Sequence, residues 1–202
     1  MKEKLIIKNN TNYDKTILVI GVVHGDEPQG EILINKFLEK DFVCKNRLFF
    51  VPRLNSSNTR KNPNGVDLNR NFPTKNWTVT DCESDYFGGF SANSEVETKF
   101  VVDLLNKYNF DAIITIHAPF RLVNYDCHKD CKITKPLASK IASYLDYPVE
   151  GDIGYPTPGS FGTYAGIERG IPTITIELSE NEKIDDLFLK FDKIFNYLAN
   201  EF

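Results

Sequence analysis

The segment TILVIGVVHGDE, residues 16–27, decides the fold class, because an apolar run rich in β-branched residues is followed at once by polar ones. The segments AIITIH (residues 112–117) and TITIE (residues 173–177) repeat this arrangement. Short runs of this kind, bounded by polar segments, are typical of buried strands in an α/β sheet. Ligands bind such sheets outside the carboxyl ends of the strands. We therefore predict that His24, His117 and Glu177 meet at one edge of a sheet.

Strand and helix patterns alternate along the rest of the chain. Further strands are predicted at residues 4–9 and 47–54, and helices at residues 28–40, 94–108, 135–144 and 185–202. In the first helix, Pro28 suits the first turn. Its expected buried face consists of Ile32, Leu33, Phe37 and Leu38. Residues 55–90 and the stretch after His117 show little periodicity and are predicted to be irregular.

Two details concern the helix predicted at residues 94–108 and the last helix. Ser94 is expected to cap the former, and Glu97 would complete a capping box. The last helix, residues 185–202, has an amphipathic pattern. Its expected apolar face consists of Leu187, Phe188, Phe191, Ile194, Phe195 and Leu198. The long irregular segment 55–90 is expected to be functional or disordered, since such segments are uncommon in compact domains.

Composition limits the classes of function. The chain has 202 residues, 41% of them hydrophobic, which is enough for one sizeable core. A net charge of -4 gives no electrostatic footprint for nucleic acid or an anionic membrane. The N-terminal apolar stretch is too short for a signal peptide, and no apolar run is long enough to span a bilayer. The four cysteines show no framework spacing, so we predict reduced thiols, an ordinary loop between Cys127 and Cys131, and a cytoplasmic location.

The polar residues at the three strand ends are suited to a metal ion. The chain has only three histidines, and two of them, His24 and His117, lie at these ends. A catalytic zinc ion commonly has three protein ligands, such as two histidines and one glutamate, and keeps a fourth position for water. His24, Glu27 and His117 would supply the ligands, and Glu177 would act as general base. The alternative is that the histidines only cap strands through hydrogen bonds.

The long irregular segment contains a second group of polar residues. Arg70 presents a planar fork that can bind a carboxylate through two parallel hydrogen bonds, and Asn69 can add a donor. Arg60 could stabilise the negative charge that develops on an attacked carbonyl oxygen. The alternative, which is more common for such sequences, is a solvated polar loop with local turns.

Three segments of the chain resemble the zinc carboxypeptidase family, and within it the bacterial murein peptide amidase A group. They are HGDE at residues 24–27, GVDLNRNFP at residues 65–73 and GYPTPGSFG at residues 154–162. The second is the most specific, because its nine residues have an unusual composition. The resemblance extends from about residue 17 to residue 177. The fold expected from it and from the strand pattern is a three-layer α/β/α sandwich with a mixed, mostly parallel sheet, and residues 1–202 are expected to form one catalytic domain.

The resemblance also implies the chemistry. One zinc ion per chain would be bound by His24, Glu27 and His117, with Glu177 as the base. The implied reaction is hydrolysis of the bond between γ-D-glutamate and meso-diaminopimelate in peptides derived from peptidoglycan, as part of cytoplasmic murein peptide recycling. The expected partner is thus a small peptide resembling a murein tripeptide, and the sequence does not specify an oligomeric state.

The remaining implied roles concern substrate binding. Asn69 and Arg70 would hold the terminal carboxylate, Arg60 would polarise the scissile carbonyl, and Tyr155 would close over the substrate. By chemistry alone, Tyr155 in its loop rich in glycine and proline could also be an amphipathic surface ring. Binding residues concentrate on loops carried by a rigid scaffold, which favours the functional interpretation.

Two other classes of protein are alternatives to this interpretation. A zinc-dependent N-acyl amino acid deacylase of the aspartoacylase or succinylglutamate desuccinylase type shares a similar signature around Glu27 and Arg70. Such enzymes usually carry a further β-rich carboxyl-terminal domain, whereas the last pattern in this chain is a helix. A non-catalytic binding protein on a peptidase scaffold would be expected to lose a ligand or the base. This chain keeps His24, Glu27, His117 and Glu177, so the hydrolase is favoured.

Overall fold

The structure is a computed structural model that describes residues 5–9 and 11–202. Within these residues, seven strands form one mixed sheet: β1 (Ile6–Lys8), β2 (Thr16–Val22), β3 (Arg47–Arg53), β4 (Ala112–His117), β5 (Phe120–Asp126), β6 (Val149–Glu150) and β7 (Thr173–Ser179). Their order across the sheet is β1-β3-β2-β4-β7-β5-β6. The pairs β1/β3 and β5/β7 are antiparallel, and the other neighbours are parallel. The prediction of a mixed, mostly parallel sheet is therefore confirmed.

Helices cover both faces of this sheet. They are α1 (Gln29–Leu38), α2 (Val96–Lys107), α3 (Thr134–Leu145) and α4 (Ile184–Asn200). One apolar core lies between the sheet and α1, α3 and α4, and a second lies between the opposite face and α2. This arrangement is the predicted three-layer α/β/α sandwich. Among the described residues, no helix has the length and apolar character needed to cross a membrane.

Strand β2 shows why the strand segments are apolar without interruption. Ile17 and Val19 pack into the core that contains α1, α3 and α4, whereas Leu18 and Ile20 pack into the core that contains α2. Successive side chains of a strand point to opposite faces, so a strand covered on both sides has no solvent-facing position. The apolar runs therefore specified the central strands, and each run ends where its strand emerges at the edge of the sheet.

The predicted boundaries differ from the observed ones in small ways. The predicted edge strand 4–9 corresponds to β1, and its first residue, Lys4, lies outside the described residues. In α1, the prediction of a buried Ile32 is wrong, because this side chain is 39% exposed while Ile34 is fully buried. The buried positions are Gly30, Leu33, Ile34 and Phe37. Their spacing of three and four residues fits one helical face better than the predicted set did.

The predicted capping box at the start of α2 is wrong. The residue before the helix is Glu95, and its side chain makes no capping hydrogen bond. The Ser94 hydroxyl instead donates to Glu95 Oε1 at 2.6 Å and accepts from Asn71 Nδ2 at 3.0 Å. The Ser94 hydroxyl is thus hydrogen-bonded to residues outside the helix and makes no capping hydrogen bond to the helix backbone.

Two strands and two short helical turns were not predicted. Strands β5 and β6 lie in and beyond the segment after His117, a 3₁₀ turn spans Leu68–Arg70, and a π-helical turn spans Thr163–Glu168. Strand β5 has the sequence FRLVNYD, in which only Val123 and Asn124 are buried. Its polar side chains line a cavity, so the segment shows neither a continuous apolar run nor a clean alternation. That is why its sequence resembles an irregular one.

The long loop between β3 and α2 is ordered by polar contacts. Asn71 is fully buried, and its Nδ2 donates to the carbonyl oxygens of Gly88 and Ser91. Its Oδ1 accepts from the backbone N–H of Glu95 and the hydroxyl of Thr98. Buried polar groups are stabilising only when they are hydrogen-bonded, and Asn71 meets this condition fully. The loop therefore has a defined shape without apolar periodicity.

The prediction that all cysteines are reduced thiols is wrong for one pair. Cys127 and Cys131 form a disulfide, with their Cα atoms 5.6 Å apart. Two cysteines separated by four positions in a tight loop can reach the Cα distance that a disulfide requires. Cys44 and Cys82 are free.

Candidate metal centre and active site

The turn between β2 and α1 positions His24 and Glu27. The backbone N–H of Glu27 donates to the His24 carbonyl oxygen at 3.2 Å, which brings both side chains to one side. Gly25, between them, lies against the long loop: a Cβ atom built on it would be 2.2 Å from the carbonyl oxygen of Ser57. Only glycine allows this approach, and the loop that carries the arginines is thereby held beside the histidine.

His24, Glu27 and His117 are brought together as the sequence predicted. Each offers one ligand atom, and these atoms lie within 4.8 Å of one another. The Nδ1 atoms of His24 and His117 lie 2.8 and 3.0 Å from the two carboxylate oxygens of Glu27. His24 and His117 are 3% and 4% exposed, so the group is shielded from solvent. The arrangement follows from β2 and β4 being parallel neighbours that end at the same edge.

Asp67 is a member of the site that the sequence did not assign. Its Oδ1 lies 3.1 Å from His24 Nε2, and its Oδ2 accepts from Arg60 Nε and Nη2 at 3.1 and 2.9 Å. Although burial raises the pKa of Asp67, its hydrogen bond to His24 and the charges of His24 and Arg60 lower it to about 2. An ionised carboxylate on Nε2 keeps that nitrogen protonated and leaves Nδ1 available to bind a metal ion. The only sequence signal was an acidic residue inside the specific segment 65–73.

The donor set fits a zinc ion. Two imidazole nitrogens and one carboxylate that converge, with a carboxylate behind one imidazole, are the ligands and support that catalytic zinc sites use. The pKa shifts of His24 and Glu27 agree with a site for a cation. Burial lowers the pKa of His24, but its hydrogen bonds to Asp67 and Glu27 outweigh this effect and raise it to about 9. Burial raises the pKa of Glu27, yet the neighbouring histidines bring it below its ordinary value. The site thus favours a positive charge.

Replacing Asp67 with asparagine is expected to weaken zinc binding by about 10–100-fold, the usual effect of losing such a supporting carboxylate. The amide keeps a hydrogen-bond acceptor for His24 but loses the negative charge. The measurement is zinc affinity by competition with a chromogenic chelator, alongside a thermal melt that reports folding. The control is Asp103→Asn, which removes an exposed acid of α2. Equal zinc affinity in both variants and the native protein would contradict the assignment.

Glu177 lies beside the three candidate ligands but outside the group they form. It ends the segment of β7 that pairs in register with β4, where Glu177 is opposite His117. Its Oε2 is buried and has no hydrogen-bond partner among the described residues. Burial raises the pKa of Glu177, an effect that the nearby histidines reduce but do not cancel. A carboxylate whose pKa is raised by burial and which has one buried oxygen without a partner is suited to accept a proton.

The structure places the three predicted residues of the long loop at the same cavity. Arg60 contacts Asp67 as described, with its side chain 30% exposed. Asn69 and Arg70 form a single 3₁₀ turn, Leu68–Arg70, whose start is capped by Asp67. Asn69 Oδ1 accepts from the backbone N–H of Phe161 at 2.9 Å, and Arg70 Nη1 donates to the Asn69 carbonyl oxygen at 2.8 Å. The turn therefore joins the loop to the 151–162 segment and fixes both side chains.

Two tyrosines lie at the mouth of this cavity, whose volume is about 540 Å³. Tyr155, which the sequence singled out, is on the loop after β6 and is 44% exposed. Tyr86 was missed. Its ring centre is 5.0 Å from the guanidinium carbon of Arg60 and 5.3 Å from that of Arg70. An aromatic face at this distance attracts a guanidinium group, so Tyr86 helps to orient both arginines.

Asp126, at the end of β5, also lines the cavity and was not assigned by the sequence. Burial raises the pKa of its carboxyl group to about 6. The strand pattern could not have revealed it, because β5 itself was not predicted.

The raised pKa of Asp126 makes the stability of the protein dependent on pH. The folded state binds the proton more tightly than the unfolded chain, so stability falls as pH rises from about 4 to about 6 and then levels off. Asp126→Asn removes this effect. The free energy of unfolding of the variant minus that of the native protein is expected to increase by about 1–2 kcal/mol from pH 4.5 to pH 7.5. Urea unfolding of the metal-free proteins at both pH values measures it, and a difference independent of pH would contradict it.

A model of the zinc carboxypeptidase family matches residues 3–202. The chain belongs to this family. It is accordingly a hydrolase, as the sequence resemblance implied. The family is zinc-dependent, in agreement with the group formed by His24, Glu27 and His117.

The chain is also similar to individual proteins. The chain is 31% identical to "Murein peptide amidase A" of Vibrio campbellii (strain ATCC BAA-1116) over 182 residues, which cover 80% of this chain and 68% of the relative. It is 28% identical to the protein of the same name in Escherichia coli (strain K12), over 79% of this chain and 69% of the relative. The crystal structure of murein-tripeptide amidase MpaA from Escherichia coli O157 matches with a TM-score of 0.76 at 24% identity, covering 95% of this chain and 83% of that one. This structural likeness supports the fold.

Proposed function

We propose that this protein is a zinc-dependent amidohydrolase that cleaves the bond between γ-D-glutamate and meso-diaminopimelate in murein peptides. The observation that carries the proposal is the convergence of His24, Glu27 and His117 beside Glu177, whose Oε2 is buried and has no hydrogen-bond partner among the described residues. The relatives named murein peptide amidase A support the substrate. We further propose one zinc ion per chain, a single catalytic domain over residues 1–202, and a cytoplasmic role in murein peptide recycling.

Zinc bound by these ligands would lower the pKa of a water molecule from about 15.7 to about 7 and polarise the substrate carbonyl. Glu177 takes a proton from the water as the water oxygen bonds to the carbonyl carbon. When the carbon–nitrogen bond breaks, Glu177 gives this proton to the leaving amine. The products are the peptide with a new γ-carboxylate and free diaminopimelate.

The two arginines have different roles in the reaction. Arg60, which borders the metal ligands through Asp67, stabilises the negative charge on the attacked oxygen. Arg70 and Asn69, on their fixed turn, bind the terminal α-carboxylate, so the enzyme removes a terminal residue. Tyr155 at the cavity mouth closes over the bound peptide, and Gly159, whose φ of 72° favours glycine, shapes its loop.

The test is hydrolysis of L-Ala-γ-D-Glu-meso-diaminopimelate by zinc-loaded protein, with chelator-treated protein as control. Release of diaminopimelate that the chelator abolishes and added zinc restores is the expected result. N-acetyl-aspartate is assayed in parallel, because an N-acyl amino acid deacylase would act on it. Deacylation of N-acetyl-aspartate without cleavage of the tripeptide would assign the protein to the deacylase class and overturn the proposal.

A further inference from the structure

A second cavity, of about 360 Å³, adjoins the cavity at the metal centre. The two cavities share part of their lining, namely Arg70, Tyr86, Tyr155 and Pro156. The candidate metal ligands and Glu177 line only the first cavity. The second cavity therefore begins at Arg70, the residue proposed to bind the terminal carboxylate of the substrate, and it extends away from the groups proposed to act on the scissile bond.

The wall that the long loop contributes to the second cavity is fixed by its own contacts. Gly88 packs so closely against Arg70 that a Cβ atom on it would be 2.3 Å from the Arg70 carbonyl oxygen. The carbonyl oxygen of Gly88 accepts from Nδ2 of the buried Asn71 at 2.7 Å. The backbone N–H of Tyr86 donates to the Ser84 hydroxyl at 3.2 Å. These contacts give the second cavity a defined shape beside Arg70.

The second cavity has one charged group. Among the described residues that line it, only Arg70 carries a charged side chain. Its guanidinium group donates to the Asn69 carbonyl oxygen through Nη1. A guanidinium group has five N–H donors, so donors remain for a ligand. A ligand group that enters the second cavity and meets Arg70 should therefore carry a negative charge, and a carboxylate fits the planar fork of the arginine.

One further residue on the substrate would bring a carboxylate to this point. If a peptide bond extends the terminal carboxylate of the diamino acid, the new carboxylate lies roughly 3.5 Å farther along the chain. Arg70 borders both cavities, so it stays within reach of the displaced carboxylate. The second cavity is near the lower end of the usual volume of ligand sites, which suits a small residue. The hydroxyl groups of Thr78, Thr80 and Ser84 in its lining suit a peptide group.

We propose that the second cavity binds one small residue that follows the diamino acid, and that the carboxylate of this residue pairs with Arg70. The substrates then include peptides that end one residue beyond the diamino acid as well as peptides that end at it. This inference rests on the proposed function, since it takes cleavage of the γ-D-glutamyl bond as given. One water molecule is added across that bond, so the glutamate gains a γ-carboxylate and the leaving amine, which takes a proton, belongs to a dipeptide.

The experiment compares three peptides: the diaminopimelate tripeptide, the same peptide extended by a terminal D-alanine, and the amide of this tetrapeptide. Native zinc-loaded protein is expected to release the diaminopimelate–D-alanine dipeptide, identified by its mass. The expected kcat/KM for the tetrapeptide is at least about 10-fold above that for its amide, since only the free carboxylate can pair with Arg70. Cleavage of the tripeptide together with equal kcat/KM for the tetrapeptide and its amide would overturn the inference and leave the amidase function intact.

Thr78→Trp tests where the added residue binds. Thr78 lines the second cavity and not the first, so the indole ring would occupy space in the second cavity alone. The variant is expected to lower the ratio of kcat/KM for the tetrapeptide to that for the tripeptide by at least about 10-fold. The matched control is Val79→Trp, which adds the same bulk at the next position, 56% exposed and outside the lining of both cavities. The control should keep the native ratio, and a native ratio in Thr78→Trp would contradict the proposal.

Binding provides a readout that does not depend on turnover. The tetrapeptide and its amide are titrated into zinc-loaded Glu177→Ala protein, in which hydrolysis is expected to be abolished. The free tetrapeptide is expected to bind at least about 10-fold more tightly than its amide, and adding Thr78→Trp should remove most of this difference. If native protein cleaves none of the peptides, the proposed function fails. The inference about the second cavity is then decided by these affinities, and it falls if the tetrapeptide and its amide bind equally.

Discussion

Replacing Glu177 with alanine is expected to abolish hydrolysis and to leave zinc bound. Removing a general acid–base group commonly costs about 10²–10⁴ in rate, and here the same carboxylate would serve both proton transfers. The side chain lies outside the three-ligand group, so its loss removes no metal ligand. Its buried Oε2 has no partner among the described residues, which means that the substitution breaks no hydrogen bond there. Activity and metal content should therefore separate.

The measurement pairs kcat for the diaminopimelate tripeptide with zinc content after gel filtration. Glu177→Gln is a second variant that keeps the size of the side chain, and a fall in kcat similar to that of the alanine variant would attribute the effect to the lost base. Glu180→Gln, an exposed glutamate three residues along the chain, serves as control and should keep full activity. Loss of zinc in both Glu177 variants would instead assign Glu177 to the metal ligands.

The sequence predicted the central strands and the metal-ligand cluster for one physical reason. Strands covered by helices on both faces must be apolar at every position, so each polar residue that follows such a run marks the edge of the sheet. His24 and His117 are such residues, and the parallel pairing of β2 and β4 then brings them together. Side-chain chemistry suggested the roles of Arg60 and Arg70, but only the family resemblance favoured them over a solvated loop. An irregular loop has no periodicity from which the positions of Arg60, Arg70 and Tyr155 can be derived.

Residues that depend on tertiary pairing were not predictable in this way. Asp126 was missed because β5 runs antiparallel to β7 with polar side chains along the cavity, so no apolar run marks it. Asp67 was visible in the sequence, but only the structure shows that its two oxygens are divided between His24 and Arg60. The disulfide between Cys127 and Cys131 depends on a loop conformation that their spacing alone did not specify.

Replacing Arg70 with alanine is expected to lower kcat/KM for the tripeptide by about 30-fold or more. A buried guanidinium group that pairs with a carboxylate contributes at least about 2 kcal/mol. Arg70 is 7% exposed and is fixed by its hydrogen bond to the Asn69 carbonyl oxygen, so little ordering is needed when the substrate binds. A tripeptide whose terminal α-carboxylate is converted to an amide lacks the partner of this charge. Its kcat/KM, already low in the native enzyme, should change much less.

Arg60→Ala is the matched comparison, because Arg60 has a different proposed role from Arg70. If Arg60 stabilises the attacked oxygen, its loss lowers kcat for the free and the amidated peptide by the same factor, since both develop the same negative charge. The Arg70 variant should discriminate between the two peptides, and the Arg60 variant should not. Both arginines contact the ring of Tyr86 and border one cavity, so a general disturbance of the loop would affect both peptides alike in either variant. If the Arg70 variant lowers kcat/KM for the free and the amidated peptide by the same factor, the carboxylate-binding role is contradicted.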